Sequence, residues 1–443
     1  MRRLNIAVVG SGVSGLAAAW MLSKRHFVTL YEAETRVGGH ANTYFAQTEE
    51  GVVPVDTGFI VYNEATYPNF TQMLRWLDVA SMESDMGFSV SLDDGRREYS
   101  GRNALHLLGS WRNAFDPSHW AMLRELHRFY TSAKDQVEQV KDDLPLQGFL
   151  SHFGYRDAFV QKHLLPMASA IWSCPPRQIL SYPARAFISF FDNHQLLNLG
   201  TRQNWRTVAG GSQNYVRKLT MQVNTTHCGV PVKKILREPG AVDVILADGT
   251  KIKHEHVVLA CHADQALHML AKPSDSEIAT LSPFSYSSNR AVLHEDERFM
   301  PKSKRFWSSW NYLANRQNEA VSVTYWMNRL QNLETRRNFL VSINPPVMPQ
   351  QHTVHADLTY RHPVFTTATL QAQQELWSLQ GRQNTWYCGA YFGSGFHEDG
   401  LQAGLAVAED LGGLGRPWRL EASSSRIWRK SLVPTLAALQ AAE

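Results

Sequence analysis

Cysteine is scarce in this sequence, and its few copies stand far apart. The 443 residues include Cys174, Cys228, Cys261 and Cys388, with no CxxC pair among them. A disulfide framework or a cysteine-based zinc site requires closer spacing, so neither is predicted. Reduced thiols are typical of the cytoplasm, which is the location that this pattern favours.

Long apolar runs are also missing. The most apolar stretch lies near the N-terminus, but glycines interrupt it and a strand pattern follows in place of a cleavage site. No stretch reaches about 18 unbroken apolar residues, the length of a membrane-spanning helix. The net charge of +4 is small, so nucleic acid is not an expected partner. Composition leaves contact with a membrane surface open.

What the sequence does contain is a strand–turn–helix–strand unit at its start. Residues 4–9 are short, apolar and β-branched, as in a buried parallel strand. Residues 13–24 carry apolar side chains at helical spacing, and residues 27–31 form a second strand pattern. The spacing predicts a βαβ crossover within about 30 residues.

The turn of this unit carries a dinucleotide fingerprint. Gly10 permits a tight turn, Gly12 lets the backbone approach a pyrophosphate, and Gly15 lets helix and strand pack closely. Free N–H groups and the positive end of the helix favour phosphate. Glu32, at the end of the second strand, is spaced to bind a ribose hydroxyl pair. The alternative is a structural turn with a surface glutamate.

NAD and FAD share this fingerprint, and a second glycine pair distinguishes them. Arg36, Gly38 and Gly39 follow Glu32 with ExxxRxGG spacing. The pair gives another close backbone approach to a long cofactor, and Arg36 could bind phosphate through two N–H groups. At this point the sequence resembles the flavin-containing amine oxidoreductase superfamily, which includes amine oxidases, protoporphyrinogen oxidase and phytoene desaturases.

The resemblance returns at residues 55–58, 208–212 and 389–404, in chain order. It implies an α/β fold, with a Rossmann-like FAD-binding domain of the glutathione-reductase type interleaved with an α+β substrate domain that carries a helical insert. The FAD-binding domain is expected at 1–80, 205–285 and 380–415, the substrate domain at 81–204 and 286–379, and a C-terminal tail at 416–443. Fingerprint and resemblance together predict that FAD is bound by Gly10, Gly12, Val13, Ser14, Gly15, Glu32, Ala33, Arg36, Gly38, Gly39, His40, Thr57, Gly58, Val232, Gly389, Ala390, Gly400, Leu401 and Gln402.

In this superfamily, the segment that corresponds to residues 389–404 holds the isoalloxazine ring of the flavin. A helix beginning near Gly400 would direct its positive end at the flavin and stabilise the anion that forms on reduction. Asp399 is expected to be the N-cap of this helix. His397 is either a polar residue of the turn without a catalytic role or a candidate catalytic group in the active-site wall. Covalent attachment would use a cysteine in this segment, but Cys388 reads as a buried strand residue, so non-covalent FAD is predicted.

A narrower resemblance concerns the substrate. Residues 284–301, 306–312, 321–331 and 341–346 look like a group of bacterial FAD proteins related to the N-terminal region of plant cyclopropane fatty-acyl synthases. That resemblance implies redox chemistry on a lipid acyl chain, of desaturase or oxidase type. An amine oxidase and a non-catalytic flavin-binding module serving a partner enzyme remain open alternatives. The sequence holds no second fingerprint for NADPH, so the expected electron acceptor is oxygen, a quinone or a partner protein.

Several other clusters have competing interpretations. Phe306, Trp307, Trp310, Tyr312, Tyr325 and Trp326 could line a substrate tunnel, although strand spacing favours a core. His352, His355, Asp357 and His362 have no compact ligand spacing, so no metal is predicted. His254 and His256 are expected to be exposed. Two segments could touch an anionic membrane: Lys302, Lys304, Arg305, Phe306 and Trp307, and the insert residues Leu105, Leu107, Leu108, Trp111, Phe115, Trp120 and Met122.

Overall fold

A computed structural model of the chain describes residues 2–141, 144–172, 179–193, 197, 204–315 and 321–429. Its strands are β1 (Asn5–Val9), β2 (Phe27–Tyr31), β3 (Thr43–Thr48), β4 (Gly51–Asp56), β5 (Val61–Asn63), β6 (Ser81–Ser84), β7 (Phe88–Leu92), β8 (Arg97–Ser100), β9 (Trp205–Val208), β10 (Thr225–His227), β11 (Val232–Glu238), β12 (Ala241–Leu246), β13 (Lys251–His254), β14 (His256–Leu259), β15 (Ser285–His294), β16 (Trp310–Ala314), β17 (Val321–Trp326), β18 (Leu340–Ile343), β19 (Val354–Val364) and β20 (Thr385–Tyr387). Cys174 and tail residues 430–443 lie outside the described residues.

The helices include several short ones in the middle of the chain. They are α1 (Val13–Ser23), α2 (Pro68–Trp76), α3 (Ala104–Leu108), α4 (Trp111–Ala114), α5 (Pro117–Val137), α6 (Leu146–His152), α7 (Asp157–Phe159), α8 (Leu165–Trp172), α9 (Ala184–Asn193), α10 (Gln213–Thr220), α11 (Ala263–Met269), α12 (Asp275–Leu281), α13 (Met327–Leu330), α14 (Thr367–Leu376) and α15 (His397–Gly412). A π-helical turn at Val160–Leu164 joins α7 to α8. The helical insert predicted from proline-broken apolar stretches is therefore confirmed in the described part of 101–200.

One of the two large sheets that the structure describes has five strands, all parallel. The strand order is β10-β2-β1-β14-β20, and each neighbouring pair is parallel. The chain leaves β1 toward β2 on one side and reaches β14 on the other. Loops that depart in opposite directions leave a crevice beyond the carboxyl end of β1, where α/β proteins bind ligands. The predicted βαβ unit is confirmed, with β2 at the expected residues.

Helix α1 is buried from Val13 to Leu22 on every side, and not only on the apolar face that the helical spacing indicated. Its neighbour α15 packs along it so closely that glycine is required at the contact. A Cβ added to Gly404 would lie 2.1 Å from the carbonyl oxygen of Ser14, and one on Gly400 would lie 2.9 Å from the Ser14 hydroxyl oxygen. The two helices from opposite ends of the chain thus form one layer against the sheet.

A second, mixed sheet of seven strands has the order β19-β15-β18-β17-β16-β7-β8. All its pairs are antiparallel except β16 with β7. Its core contains Tyr312 and Tyr325, while Trp307 packs with Met300 and Leu340 beside it. The aromatic run at 306–326 therefore fills cores, as strand spacing favoured, and these side chains line no described part of the main cavity.

Three smaller sheets accompany these two large ones in the described part of the chain. They are β11-β12-β13, β3-β4 and β5-β9-β6. The exposure predicted for His254 is wrong, because this side chain is 3% exposed at the junction of β13 with the parallel sheet. Its ring nitrogens contact the Tyr31 hydroxyl at 3.0 Å and the Asn5 amide oxygen at 2.9 Å. His256 is half-buried, and burial lowers its pKa.

Candidate active site

The glycine turn after β1 has the geometry that a dinucleotide requires. Gly10 has φ +100°, and a Cβ there would lie 2.9 Å from the Ala260 carbonyl oxygen. A Cβ on Gly15 would overlap the Gly10 carbonyl oxygen at 1.9 Å. Gly12 differs from both, because a Cβ there would meet no protein atom within 4 Å. Gly10 and Gly15 thus satisfy packing, and Gly12 faces open space.

The acidic residue at the end of β2 is held at this turn. One carboxylate oxygen of Glu32 accepts a hydrogen bond from the Ser11 backbone at 2.8 Å, and the other accepts one from the Glu34 backbone at 2.9 Å. The Ser11 hydroxyl also donates to Glu32. These bonds fix the carboxylate at the edge of the crevice, where a ribose would lie in a dinucleotide fold.

The second glycine pair brings the following loop against the first. Gly38 and Gly39 have φ +113° and +57°, and a Cβ on Gly39 would lie 3.1 Å from the Gly12 Cα. The Arg36 guanidinium donates to the Gly39 carbonyl at 2.8 Å and lies outside the cavity lining. In the structure, Arg36 therefore stabilises the loop that carries His40.

Two further motifs meet through one buried carboxylate. Asp56 accepts hydrogen bonds from the Thr43 hydroxyl, the Gln331 amide and both the backbone and hydroxyl of Ser212. Burial raises its pKa to about 6 despite these donors. This joins the segments 55–58 and 208–212, which are 150 residues apart in sequence. The motifs therefore act as a frame behind the crevice.

The residues next to Asp56 support the same frame. The Thr57 hydroxyl donates to the Asn42 carbonyl and lies 2.8 Å from the Tyr360 hydroxyl. A Cβ on Gly58 would lie 2.2 Å from the His40 carbonyl oxygen. Both residues hold the His40 loop in this way, and their predicted contact with the cofactor stays a prediction.

One large cavity runs from the glycine turn toward the helical insert, with a volume of about 1000 Å³. The structure brings most predicted residues together here. Those that line the cavity are Gly10, Gly12, Val13, Ser14, Glu32, Ala33, Gly38, Gly39, His40, Val232, Gly389, Ala390 and His397. Those that lie outside its lining are Gly15, Arg36, Thr57, Gly58, Gly400, Leu401 and Gln402.

The helix at the C-terminal segment begins three residues earlier than expected. Helix α15 starts at His397, so the prediction that Asp399 is its N-cap is wrong; Asp399 lies in the first turn. Its carboxylate accepts a hydrogen bond from the Phe396 backbone at 2.8 Å and pairs with the Arg426 guanidinium at 2.5 Å. The earlier start brings the helix terminus itself, with its free N–H groups, to the cavity wall.

Glu398, beside it, points away from the cavity and serves another helix. Its carboxylate accepts from the backbone N–H groups of Asn69 and Phe70 at 3.0 and 2.9 Å, and from the amide of Gln402 at 2.9 Å. Those N–H groups lie in the first turn of α2, which has no side-chain cap of its own. Glu398 therefore ties the start of α2 to the start of α15.

His397 is the titratable side chain at the helix start. Its Nε2 lies 2.7 Å from the Tyr215 hydroxyl, and its ring stacks on Phe59 with centroids 3.8 Å apart and planes 11° apart. Burial lowers the pKa of His397 to about 3. The ring is thus neutral at physiological pH and forms part of the cavity wall. It is available to position a ligand, and it is not an acid at neutral pH.

Three polar atoms around the cavity have no hydrogen-bond partner in the described protein: His40 Nε2, His262 Nδ1 and the Tyr391 hydroxyl. Buried polar atoms are rarely left in this way, and a bound ligand is one common reason. Burial lowers the pKa of His262 to about 4 and that of His40 well below its usual range. Two neutral imidazoles and a phenol suit the polar groups of a dinucleotide.

His262 and Tyr391 were not singled out from the sequence. His262 lies three residues after the end of β14, and Tyr391 follows β20 after the Gly389 turn. The carboxyl ends of neighbouring parallel strands meet at one edge of the sheet. Applied to the strand pattern at 256–261, that rule could have predicted that His262 lies at the site.

The far end of the cavity is apolar. The insert contributes Ile171, Ile179, Tyr182 and Phe187, the loop after β19 contributes Phe365, and Phe396 precedes α15. Among the described lining residues, the carboxylates are Glu32 and Glu34 at the glycine-turn end and Asp264, which pairs with Arg361 at 2.6 Å. The apolar end therefore combines aromatic and aliphatic walls without a described acidic group.

The remaining sequence clusters have structural partners. His355 pairs with Glu295 at 2.5 Å, and Asp357 pairs with Arg290 at 2.5 Å, while His362 lines the cavity. Within the described ranges no three His, Cys, Asp or Glu side chains are arranged to hold one metal ion. Cys388 is fully buried and outside the cavity lining. No described helix is both long and apolar enough to cross a bilayer.

Comparison with known proteins agrees with this geometry. The model of the flavin-containing amine oxidoreductase family matches residues 13–411. A curated relative, an L-amino-acid oxidase from Notechis scutatus scutatus, is 52% identical over 46 residues, which is 10% of this chain and 9% of that protein. The match thus spans only about a tenth of that relative.

Solved structures share the fold across the chain. A CLA-producing fatty acid isomerase from P. acnes has a TM-score of 0.62 at 17% identity, covering 92% of this chain and 97% of that one. Cyclohexylamine oxidase from Brevibacterium oxydans IH-35A gives 0.66 at 14%, with 93% and 100% covered. Wild-type putrescine oxidase bound to putrescine gives 0.65 at 13%, with 93% and 99% covered.

The family match and the site agree on the cofactor. The open space at Gly12, the carboxylate at the end of β2 and the unpartnered polar atoms fit a dinucleotide, and Cys388 is buried outside the cavity lining. The narrower resemblance to proteins related to cyclopropane fatty-acyl synthases stays a prediction. The chain belongs to the flavin-containing amine oxidoreductase family and is an FAD-dependent oxidoreductase.

Proposed function

We propose that this enzyme oxidises an apolar substrate, a lipid acyl chain. The observation that carries the proposal is the apolar end of the cavity, with walls from Ile171, Ile179, Tyr182 and Phe187 of the helical insert. Apolar pockets with few polar groups suit ligands whose binding comes from burial of hydrocarbon, at roughly 0.8 kcal/mol for each buried CH₂ group.

The charges around the cavity support the same substrate class. Glu32 and Glu34 lie at the dinucleotide end, and Asp264 is neutralised by Arg361. A free ammonium ion brought to the apolar end would therefore lack an anionic partner among the described lining residues, and burying an unpaired charge is costly. A neutral chain meets no such penalty.

The residues of the chain supply binding and shielding. FAD held at the glycine turn by residues such as Gly12 and Glu32 would supply the hydride acceptor for a substrate C–H bond. Phe59 and Phe396 make the wall beside His397 apolar, and His397 stays neutral because burial lowers its pKa. The Tyr215 hydroxyl fixes the orientation of that imidazole. A dry, neutral wall suits hydride removal from carbon, since water would compete for reactive groups.

Amine oxidation is the second candidate. Family membership and the fold shared with two amine oxidases favour it, and the aromatic faces of Phe59 and Tyr67 could hold a cation. Against it, Lys233 is the one lysine in the described lining, and it belongs to the dinucleotide end. The resemblance to amine oxidases implies a lysine beside the flavin, and the described lining holds none at the apolar end.

Anaerobic mixing of the FAD-loaded enzyme with each substrate class tests the proposal. Unsaturated or cyclopropanated phospholipids should bleach the flavin absorbance, and amines should not. Ile171→Glu, which introduces a carboxylate into the apolar end, should slow bleaching by acyl chains while FAD content is kept. Ile278→Glu is the matched control, because Ile278 is exposed on α12. Bleaching by amines alone would replace the proposal with the second candidate.

The electron acceptor is part of the same proposal. Oxygen, a quinone or a partner protein would reoxidise the flavin, since no second dinucleotide fingerprint is present in the sequence. After reduction by substrate, exposure to oxygen or a soluble quinone should restore the absorbance. Rapid flavin reduction by NADPH alone would contradict this assignment.

A further inference from the structure

One surface of the helical insert exposes large apolar side chains in a continuous stretch of sequence. We name residues 104–124, which comprise α3, α4 and the start of α5, the insert tip. Monomeric proteins rarely expose a contiguous apolar patch of this kind without a function. The exposed fractions in the tip are 67% for Leu105, 71% for Trp111, 82% for Phe115 and 50% for Trp120.

The exposure of these side chains is a consequence of how the tip is anchored. The opposite face of the same helices is already occupied by Asn113, His119 and Met122, which are buried. The Asn113 amide donates to the Glu98 carbonyl at 3.0 Å, and His119 Nε2 lies 3.1 Å from the Leu107 carbonyl oxygen. The aromatic residues are therefore held on the outer face.

The charges around the aromatic residues are positive. The Arg112 guanidinium lies 5.1 Å from the Trp111 ring, and Arg124 shares a shallow groove with Phe115 and Trp120. The sole acid within the tip is Asp116, and it is paired with Arg97 and Lys162. The outer face thus combines exposed aromatic rings with exposed guanidinium groups and has no unpaired carboxylate among its residues.

A neighbouring segment extends the positive charge. Arg305 is exposed beside Phe306, with its guanidinium 5.0 Å from that ring. Phe306 in turn lies edge-to-face with His106 of α3, with centroids 6.3 Å apart. Phe306 and Trp307 are themselves buried, so the 302–307 segment adds the exposed basic side chains of Lys302, Lys304 and Arg305 beside the insert tip.

We propose that the insert tip binds the surface of an anionic lipid bilayer. Trp and Phe side chains prefer the level of the lipid headgroups, and arginine pairs with their phosphates. The complementary charge favours this occupant over a second copy of the chain. A two-fold contact between tips would bring two positively charged surfaces together.

Vesicle co-sedimentation of the FAD-loaded, full-length protein tests the proposal. The protein should bind vesicles of phosphatidylcholine mixed with phosphatidylglycerol, and bind phosphatidylcholine alone more weakly. Trp111→Ser with Phe115→Ser should weaken binding to the mixed vesicles by about tenfold or more. The control is Trp76→Ser, because Trp76 is 55% exposed on α2, outside the tip; it should bind as the wild type does.

A second pair of variants tests the charge. Arg112→Gln with Arg124→Gln should reduce binding to anionic vesicles by about tenfold and leave the weak binding to neutral vesicles unchanged. Arg217→Gln with Lys234→Gln removes two exposed charges elsewhere and is the control. Flavin content and unfolding midpoint verify that each variant is folded.

Two results would overturn the proposal. The first is wild-type protein that stays in the supernatant with anionic vesicles at physiological salt. The second is a wild-type dimer, seen by light scattering, that Trp111→Ser with Phe115→Ser converts to a monomer without a change in vesicle binding. Because vesicle binding needs no turnover, failure of the acyl-chain proposal leaves this result unaffected.

Discussion

Gly12, just before α1, and Gly404, within α15, are expected to respond differently to substitution by alanine. Gly12 precedes α1 with φ −61° and ψ 175°, which alanine adopts readily, and a Cβ there meets no protein atom within 4 Å. Gly404 lies in α15, where a Cβ would be 2.1 Å from the Ser14 carbonyl oxygen. The first position faces the cavity and the second faces a packed helix.

The magnitudes follow from these distances. Gly404→Ala forces the backbones of α1 and α15 apart, and overpacking of this kind lowers the free energy of unfolding by about 1–3 kcal/mol. Gly12→Ala changes an N-cap residue, which costs the fold about 1 kcal/mol or less. Its methyl group, however, occupies space that the FAD pyrophosphate would approach. We expect the Kd for FAD to rise by at least about tenfold, or about 1.4 kcal/mol.

Apoprotein unfolding in urea and titration with FAD, followed by flavin fluorescence, separate the two effects. Gly404→Ala should lose stability in the apoprotein, and Gly12→Ala should lose affinity with a nearly unchanged apoprotein midpoint. Gly415→Ala is the control, because Gly415 is exposed and a Cβ there meets nothing within 4 Å. Wild-type affinity in Gly12→Ala would refute the assignment of this turn to the pyrophosphate.

Three further outcomes are expected. Burial lowers the pKa of the fully buried His294 to about 4, so below pH 6.5 the unfolded chain takes up a proton that the fold does not. Acidification from pH 6.5 to 4 should therefore cost up to about 3 kcal/mol at this residue, and His294→Asn should flatten the dependence of the unfolding midpoint on pH. Glu398→Ala should destabilise the fold by about 1–3 kcal/mol, measured by urea unfolding, because two buried N–H groups of α2 lose their acceptor. Acid precipitation should leave the yellow flavin in the supernatant, since Cys388 is buried outside the cavity, and a yellow pellet would contradict non-covalent binding.

The beginning of the chain could be predicted almost residue by residue. The strand expected at 27–31 is β2, and the helix expected at 13–24 is α1 with one residue fewer. Short-range rules suffice there, because the turn, the crossover and the acidic residue lie within one βαβ unit. The division of the chain into domain ranges stays a prediction.

The functional meaning of a glycine could not be predicted in the same way. Gly389 lines the cavity, whereas Gly58 and Gly400 pack against backbone or side-chain atoms. A motif records only that a Cβ is excluded, and a packed helix excludes it as effectively as a cofactor does. Distinguishing the two requires the long-range contact, such as that between Gly400 and Ser14.

The two ends of the cavity explain why the cofactor could be predicted from the sequence and the substrate could not. The dinucleotide end comes from turns that follow β1 and β2, so neighbouring residues in sequence remain neighbours in space. The apolar end is assembled from Ile171 and Tyr182 of the insert and from Phe365, which follows β19 in a distant part of the chain. Each of them alone resembles an ordinary core residue, and only their convergence on one cavity makes a binding wall. Under the acyl-chain proposal, substrate choice in this chain depends on the packing of the insert, which a fold can vary while its dinucleotide turn stays the same.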